Sequence, residues 1–90
     1  MFLHIKIENK FERSRKKFTK NNPQNAQSLK RTLVLFRSNP KHPGLNLEKL
    51  KSSDIWTIRI DKGNRIFFTW IDKTTVLLLD IGEHDKYRRY

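Results

Sequence analysis

No cysteine occurs in this 90-residue chain. A disulfide framework, a thiolate zinc site and a thiol nucleophile are therefore excluded, and a reducing compartment suits the protein. Histidine is scarce and scattered: His4, His42 and His84 have no paired metal-ligand spacing, which argues against a metal centre. Also missing is any apolar run near the roughly 18 to 20 residues of a membrane span, and Glu8 and Glu12 spoil a secretory or transit pattern. The expectation is a soluble, cytoplasmic protein with no membrane partner. With 36% apolar side chains, the length holds one small domain of two packed layers, spanning residues 1–90, and leaves no room for a second.

Carboxylates are the other shortage. Against 20 Lys and Arg there are 9 Asp and Glu, for a formal charge of +11. The excess is uneven: residues 1–51 hold 13 basic and 3 acidic side chains (+10), whereas residues 52–90 hold 7 and 6 (+1). An excess of this size in so short a stretch points to a polyanion, with nucleic acid first in line. A basic helix lying on a membrane is a poor alternative, because Lys10 to Lys20 has only Phe11 and Phe18 as large apolar residues.

Phe2 to Glu8 alternates, with Leu3, Ile5 and Ile7 on one face, and reads as an opening strand. Lys10 to Phe18 reads as a short basic helix with Phe11 and Phe18 on one side. Asn22-Pro23 is a strong helix start, and Ala26, Leu29, Leu33 and Phe36 form a stripe at intervals of 3, 4 and 3, ended by Pro40. A loop with Pro40, Pro43 and Gly44 follows, closed by Leu45, Leu47 and Leu50 as core plugs. Three strands complete the chain: Ile55 to Ile60, Arg65 to Ile71, and Thr75 to about Ile81. The order β-α-α-β-β-β predicts an α+β fold in which two N-terminal helices cover one face of a small, mainly antiparallel four-stranded sheet.

Asp61-Lys62-Gly63 suits a three-residue hairpin loop with Gly63 in the left-handed region, a register that sets Arg59 opposite Arg65. Trp56, Ile58, Ile60, Ile66, Phe68 and Trp70 then face the helices, and a Lys73-Thr74 turn adds Leu77, Leu79 and Ile81. The open face receives Arg59, Arg65, Phe67 and Asp80. Two arginines directly opposite repel. Either Asp80, Asp61 or solvent neutralises them, or a phosphate sits between two guanidinium forks. The last strand returns to this end of the sheet, so His84 arrives beside the pair. An imidazole for proton transfer and two cations for phosphorane charge suffice for RNA cleavage, since RNA carries its own nucleophile in the 2′-OH.

The His42-Pro43 loop, the Leu47-Glu48-Lys49-Leu50 stretch, the Ile55-Trp56-Thr57-Ile58-Arg59-Ile60 and Arg65-Ile66-Phe67-Phe68 strands, and the Ile81-Gly82-Glu83-His84-Asp85-Lys86-Tyr87-Arg88 tail together resemble the RelE/ParE superfamily of toxin–antitoxin toxins, RelE/YafQ-like mRNA interferases in particular. The resemblance spans essentially the whole chain and is most specific over residues 42–90. It implies a small basic α+β toxin that cuts mRNA in the ribosomal A site without a metal or other cofactor. It also implies a monomeric toxin that forms a hetero-oligomer with a cognate antitoxin from an adjacent gene, and contacts with the ribosome through 16S rRNA. Transferred residue by residue, Arg59 and Arg65 bind and polarise the scissile phosphate. His84 matches the C-terminal histidine of YafQ-like and YoeB-like members and acts as general acid or base. Tyr87 or Tyr90 matches the aromatic that stacks on a base or orients the phosphate. Lys49, Lys51, Phe67, Arg88 and Tyr90 form the RNA-binding set. Thr57 departs from RelE, which has a lysine there. His42 falls near a loop histidine used in some relatives, in a Pro-Gly context that suits a structural role.

Two other functions fit parts of the pattern. A ParE-like inhibitor of DNA gyrase shares the fold but generally lacks the Arg59, Arg65 and His84 combination. A non-catalytic RNA-binding module would use the strand face as a stacking platform, and Phe67 alone supplies an aromatic there.

Overall fold

The computed structural model describes residues 2–83. The elements run β1 (His4–Ile7), α1 (Asn9–Thr19), α2 (Pro23–Ser38), a 3-10 turn (Pro43–Leu45), β2 (Glu48–Lys49), β3 (Trp56–Arg59), β4 (Asn64–Asp72) and β5 (Thr75–Glu83). The helical hairpin is built by capping. Asn22 Oδ1 accepts the Asn25 N–H at 3.0 Å and Pro23 takes the first helical position. Asn25 Nδ2 in turn donates to the Phe18 carbonyl at 2.9 Å, satisfying one of the acceptors that the end of α1 leaves open. Asn21, at φ 52, makes the tight link between the helices.

Phe11, Leu29 and Phe36 carry the helices onto the sheet, where Ile58, Ile66, Phe68, Val76, Leu78 and Ile81 meet them. Phe36 and Phe68 are fully buried with ring centroids 4.9 Å apart, and Trp70 meets Phe68 edge-on at 5.8 Å. Burying a side chain of this kind is worth about 1.5–3 kcal/mol, so these few rings supply much of the driving force. Within α2 the buried arc is Leu29, Thr32 and Phe36, with Leu33 at its edge. Ala26 stands on the exposed side instead. Leu45 and Leu50 are buried and Leu47 packs against the core, as their spacing predicts.

Among the described residues the sheet has five strands, not four, in the order β1-β5-β4-β3-β2. The added strand, β2, is two residues long, too short to show the alternation by which a strand is recognised. β1 pairs parallel with β5, and the remaining neighbours are antiparallel. Leu3 is buried and Ile5 packs on the core, but Ile7 is half exposed at the end of β1.

Two further expectations change in the β4–β5 hairpin. The Lys73-Thr74 turn forms, pairing Asp72 with Thr75, but the next pair is Trp70 with Val76, so Ile71 bulges outward. A second irregularity falls where Phe68 pairs with Leu78 and Phe67 with Asp80, so Leu79 is the extra residue on β5. Between the two bulges the register is slipped by one. Val76 and Leu78 therefore enter the core in place of Leu77 and Leu79, and Ile81 returns to it beyond the second bulge.

The β3–β4 loop also reverses by different means than expected. Among the described glycines none has positive φ. The chain turns on Asp61, whose Oδ1 accepts the N–H groups of Gly63 and Asn64, both at 2.9 Å. An Asx turn thus replaces the left-handed glycine.

Candidate active site

β-Strand alternation assembles one face of the sheet from residues distant in sequence. Register places Glu48, Thr57, Phe67 and Asp80 in one row across β2, β3, β4 and β5, and Arg59, Arg65 and Gly82 in the next. Arg59 and Arg65 are directly opposite, as the hairpin register predicts. Gly82 offers no side chain beside Arg65.

The two arginines differ in setting. Arg59 is exposed, and its Nε donates to the Asp61 carbonyl at 3.3 Å. Arg65 is buried, at 8% exposure. Its Nη1 donates to Thr57 Oγ1 at 3.2 Å and to the Asn46 carbonyl at 3.3 Å, and its Nη2 lies 3.8 Å from Glu48 Oε1. A buried guanidinium has to be hydrogen-bonded and paired, and these partners also hold its fork in one orientation. Asn46 adopts the left-handed conformation at φ 48, which directs its carbonyl inward, and its Nδ2 reaches Glu48 at 3.3 Å. Thr57 is thereby an acceptor for Arg65.

Glu48 is the residue that sequence reasoning missed. A signal was present: it is the only carboxylate between residues 13 and 53 of a strongly basic stretch. Its partner lies on β4, however, so only the pairing of β2 with β3 brings them together.

Asp80 is not shared with the arginines. Although it pairs with Phe67 in register, it is fully buried, accepts hydrogen bonds from Ser14 Oγ and from the Ile81 N–H at 2.8 Å, and lies 3.5 Å from Lys10 Nζ. The bulge at Leu79 re-aims its carboxylate toward α1. Phe67 is likewise fully buried, so its ring is not offered to a base as the open-face reading expected. Lys49 and Lys51 are exposed, but Lys49 pairs with Trp56, a core-packing residue, and strand alternation turns it away from the Arg65 face. His42 is structural: its Nδ1 accepts the Gly44 N–H at 2.9 Å and starts the 3-10 turn. His84, Tyr87, Arg88 and Tyr90 lie outside the described residues. Among the described residues, no group of three or more His, Cys, Asp or Glu side chains is placed to share a metal ion, and no helix is long and apolar enough to cross a membrane.

Basic residues on α1 are mostly solvated. The exceptions are Lys10, 3.5 Å from Asp80, and Arg15, whose guanidinium hydrogen-bonds Glu12 and holds that carboxyl below its ordinary value.

Neither a protein-family model nor a curated protein sequence matches the chain. Solved structures do. YafQ from E. coli strain BL21(DE3) superposes with a TM-score of 0.75 over 92% of this chain and 94% of its own, at 15% identity. This is the fold of the RelE-like toxins. A chain of the E. coli DinJ–YafQ toxin–antitoxin complex gives a TM-score of 0.76 at 12% identity, covering 94% of this chain and 96% of its own. The heterotetrameric YoeB–YefM toxin–antitoxin complex from Staphylococcus aureus gives 0.71 at 21% identity, covering 93% and 99%. In this RelE-like frame the helices lie on one side of the sheet and the Arg59/Arg65 row on the other, while β5 ends at Glu83, opposite Asn64 and one residue past the Arg65–Gly82 pair.

Proposed function

We infer that the chain is the toxin of a toxin–antitoxin pair and acts as a ribosome-dependent, metal-independent endoribonuclease on mRNA. The observation that carries this reading is Arg65: a buried cation in the sheet face, oriented by Thr57 and Asn46, with a carboxylate and a second arginine beside it. A plain structural sheet gains nothing from two directly opposed arginines. A phosphodiester passing through a dianionic phosphorane gains both charges.

In this mechanism the 2′-oxygen attacks the adjacent phosphorus. Its proton passes to the Glu48 carboxylate, which is about half exposed and so reachable. Arg59 and Arg65 hold the phosphate oxygens as charge builds. The P–O5′ bond breaks, and the departing oxygen takes a proton from His84 or Tyr87, in the segment that follows β5. The products are a 2′,3′-cyclic phosphate and a 5′-hydroxyl. The basic first half of the chain docks on 16S rRNA through phosphate contacts, largely without reading sequence. Lys51, Arg88 and Tyr90 complete the mRNA contacts. The toxin–antitoxin complexes among the structural neighbours support an antitoxin partner for this chain, and cytoplasmic action follows from the target.

Primer extension on mRNA translated in a reconstituted system tests the proposal. Wild type should cut. Arg59→Ala, which alters an exposed side chain, should lose about 10²- to 10³-fold, the usual cost of one donor to developing charge, and His84→Ala with Arg65→Ala should abolish cutting. Equal cutting by the double variant overturns the assignment. Inhibited gyrase supercoiling with intact mRNA replaces it with the ParE-like reading.

A further inference from the structure

Asn46 does more in the site than its place in the chain demands. Leu45 is pinned in the core, and the Asn46 N–H closes the 3-10 turn on the Pro43 carbonyl at 3.1 Å. The chain then reverses at Asn46, with φ 48 and ψ 54, so that Leu47 packs on the core and Glu48 enters β2 opposite Thr57. Asparagine visits the left-handed region more readily than most residues with a side chain, but glycine would make the same reversal at no steric cost. The turn therefore accounts for the backbone of Asn46. It does not account for a side-chain amide on Glu48 or a carbonyl on a buried arginine, and backbone held in this region beside such groups points to function.

The hydrogens of Arg65 decide what the amide does. A guanidinium has five N–H donors, two of them on Nη1. Thr57 Oγ1 at 3.2 Å and the Asn46 carbonyl at 3.3 Å take both of these. A phosphate therefore meets Arg65 through Nη2, alone or with Nε, and Nη2 is the nitrogen that lies 3.8 Å from Glu48 Oε1. Its arrival draws the cation away from Glu48 and sets a second anion beside the carboxylate. The Glu48 side chain is 43% exposed, so repulsion would turn it out to solvent unless another group held it. Asn46 Nδ2 donates to that same oxygen, Oε1, at 3.3 Å. We propose that Asn46 is a positioning residue for RNA cleavage, whose amide keeps the Glu48 carboxylate at the 2′-OH while the scissile phosphate occupies Arg65 Nη2. The inference rests on the nuclease reading and adds to it the group that retains the proton acceptor once substrate is bound.

Initial rates of cleavage on ribosomes programmed with a single mRNA, which give kcat and KM separately, provide the test. Asn46→Gly keeps the left-handed turn and its carbonyl and deletes only the amide. It should melt as wild type does, hold KM within about twofold and lose at least about tenfold in kcat, the scale of a misplaced reacting group. Asn46→Asp also suits the turn, but sets a carboxylate against Glu48 and should lose more. Asn46→Ala, strained in the left-handed region, should melt earlier and so report what loss of the turn itself does. In a Glu48→Gln background Asn46→Gly should cost nothing further, because a residue that acts through Glu48 has no effect once the acceptor is gone. Wild-type cutting by Asn46→Gly overturns the proposal, as does a loss confined to KM or a loss of equal size in the Glu48→Gln background. A wild type that never cuts, or Glu48→Gln that cuts as wild type does, overturns the cleavage mechanism and this proposal with it.

Discussion

Replacing Asp80 by alanine should unfold the protein well below the temperature at which the native chain unfolds. The carboxylate is fully buried under α1 and accepts hydrogen bonds from Ser14 Oγ and the Ile81 N–H, with Lys10 Nζ 3.5 Å away. Lys10 is 56% exposed, so it rehydrates on losing its partner, and its share is small, about 0–1 kcal/mol. A hydrogen bond to a charged group is worth about 1.5–3 kcal/mol. The bond from the buried Ile81 N–H counts near the middle of that range and the part-buried Ser14 near its lower end, for a total of about 3–4 kcal/mol. In a domain of this size that lowers Tm by about 12 °C or more. Urea unfolding of wild type, Asp80→Ala, Ser14→Ala and the double variant measures it. Ser14→Ala should cost less than Asp80→Ala, and the cycle should show a coupling of about 1 kcal/mol. A loss below about 0.5 kcal/mol for Asp80→Ala, or one matched by Lys10→Ala, would refute the argument that the buried bonds, and not the ion pair, fasten α1 to β5.

The other predictions concern the core, the site and acid stability. Phe36→Ala, which removes the ring packed 4.9 Å from Phe68, should cost about 3–5 kcal/mol in chemical denaturation, a large fraction of a small domain's stability. Arg65→Lys keeps the charge but cannot bond Thr57, Asn46 and Glu48 at once, so primer extension should show cleavage reduced by at least about tenfold with charge unchanged. Asp72 is held below its ordinary value of 3.8, chiefly by the N–H of Thr74. Its contribution is therefore present above that pH and disappears as pH falls through the lowered value. Asp72→Ala should be less stable than wild type at pH 7 and equal to it in melts well below pH 3.8.

Helices were legible because their ends are written locally. Asn22-Pro23 caps and starts α2, and the Leu29 and Phe36 spacing marks its buried side. The Arg59–Arg65 pairing was legible because a short loop leaves little choice of register, even though Asp61, and not Gly63, makes the turn. The bulges at Ile71 and Leu79 were not. Thr75 to Ile81 is apolar on both faces of the strand, so no alternation in the sequence announces that Val76 and Leu78, in place of Leu77 and Leu79, lie inside. In the site, arginines facing each other on adjacent strands could be read from the hairpin. Glu48 and the carbonyl of Asn46 could not, because both reach Arg65 through a two-residue strand and a left-handed turn that only the folded sheet brings close.

The parallel pairing of β1 with β5 sets an order of events during synthesis. Among the described residues β1, the first strand in sequence, has no neighbour in the sheet except β5, the strand farthest from it along the chain. Until Val76 and Leu78 have left the ribosome, the N-terminal strand and the apolar sides of both helices have little of the sheet to pack on. Contacts this distant in sequence close slowly. Docking of β1 therefore waits for β5, whereas the β3–β4 hairpin that sets Arg59 opposite Arg65 closes locally and needs neither strand.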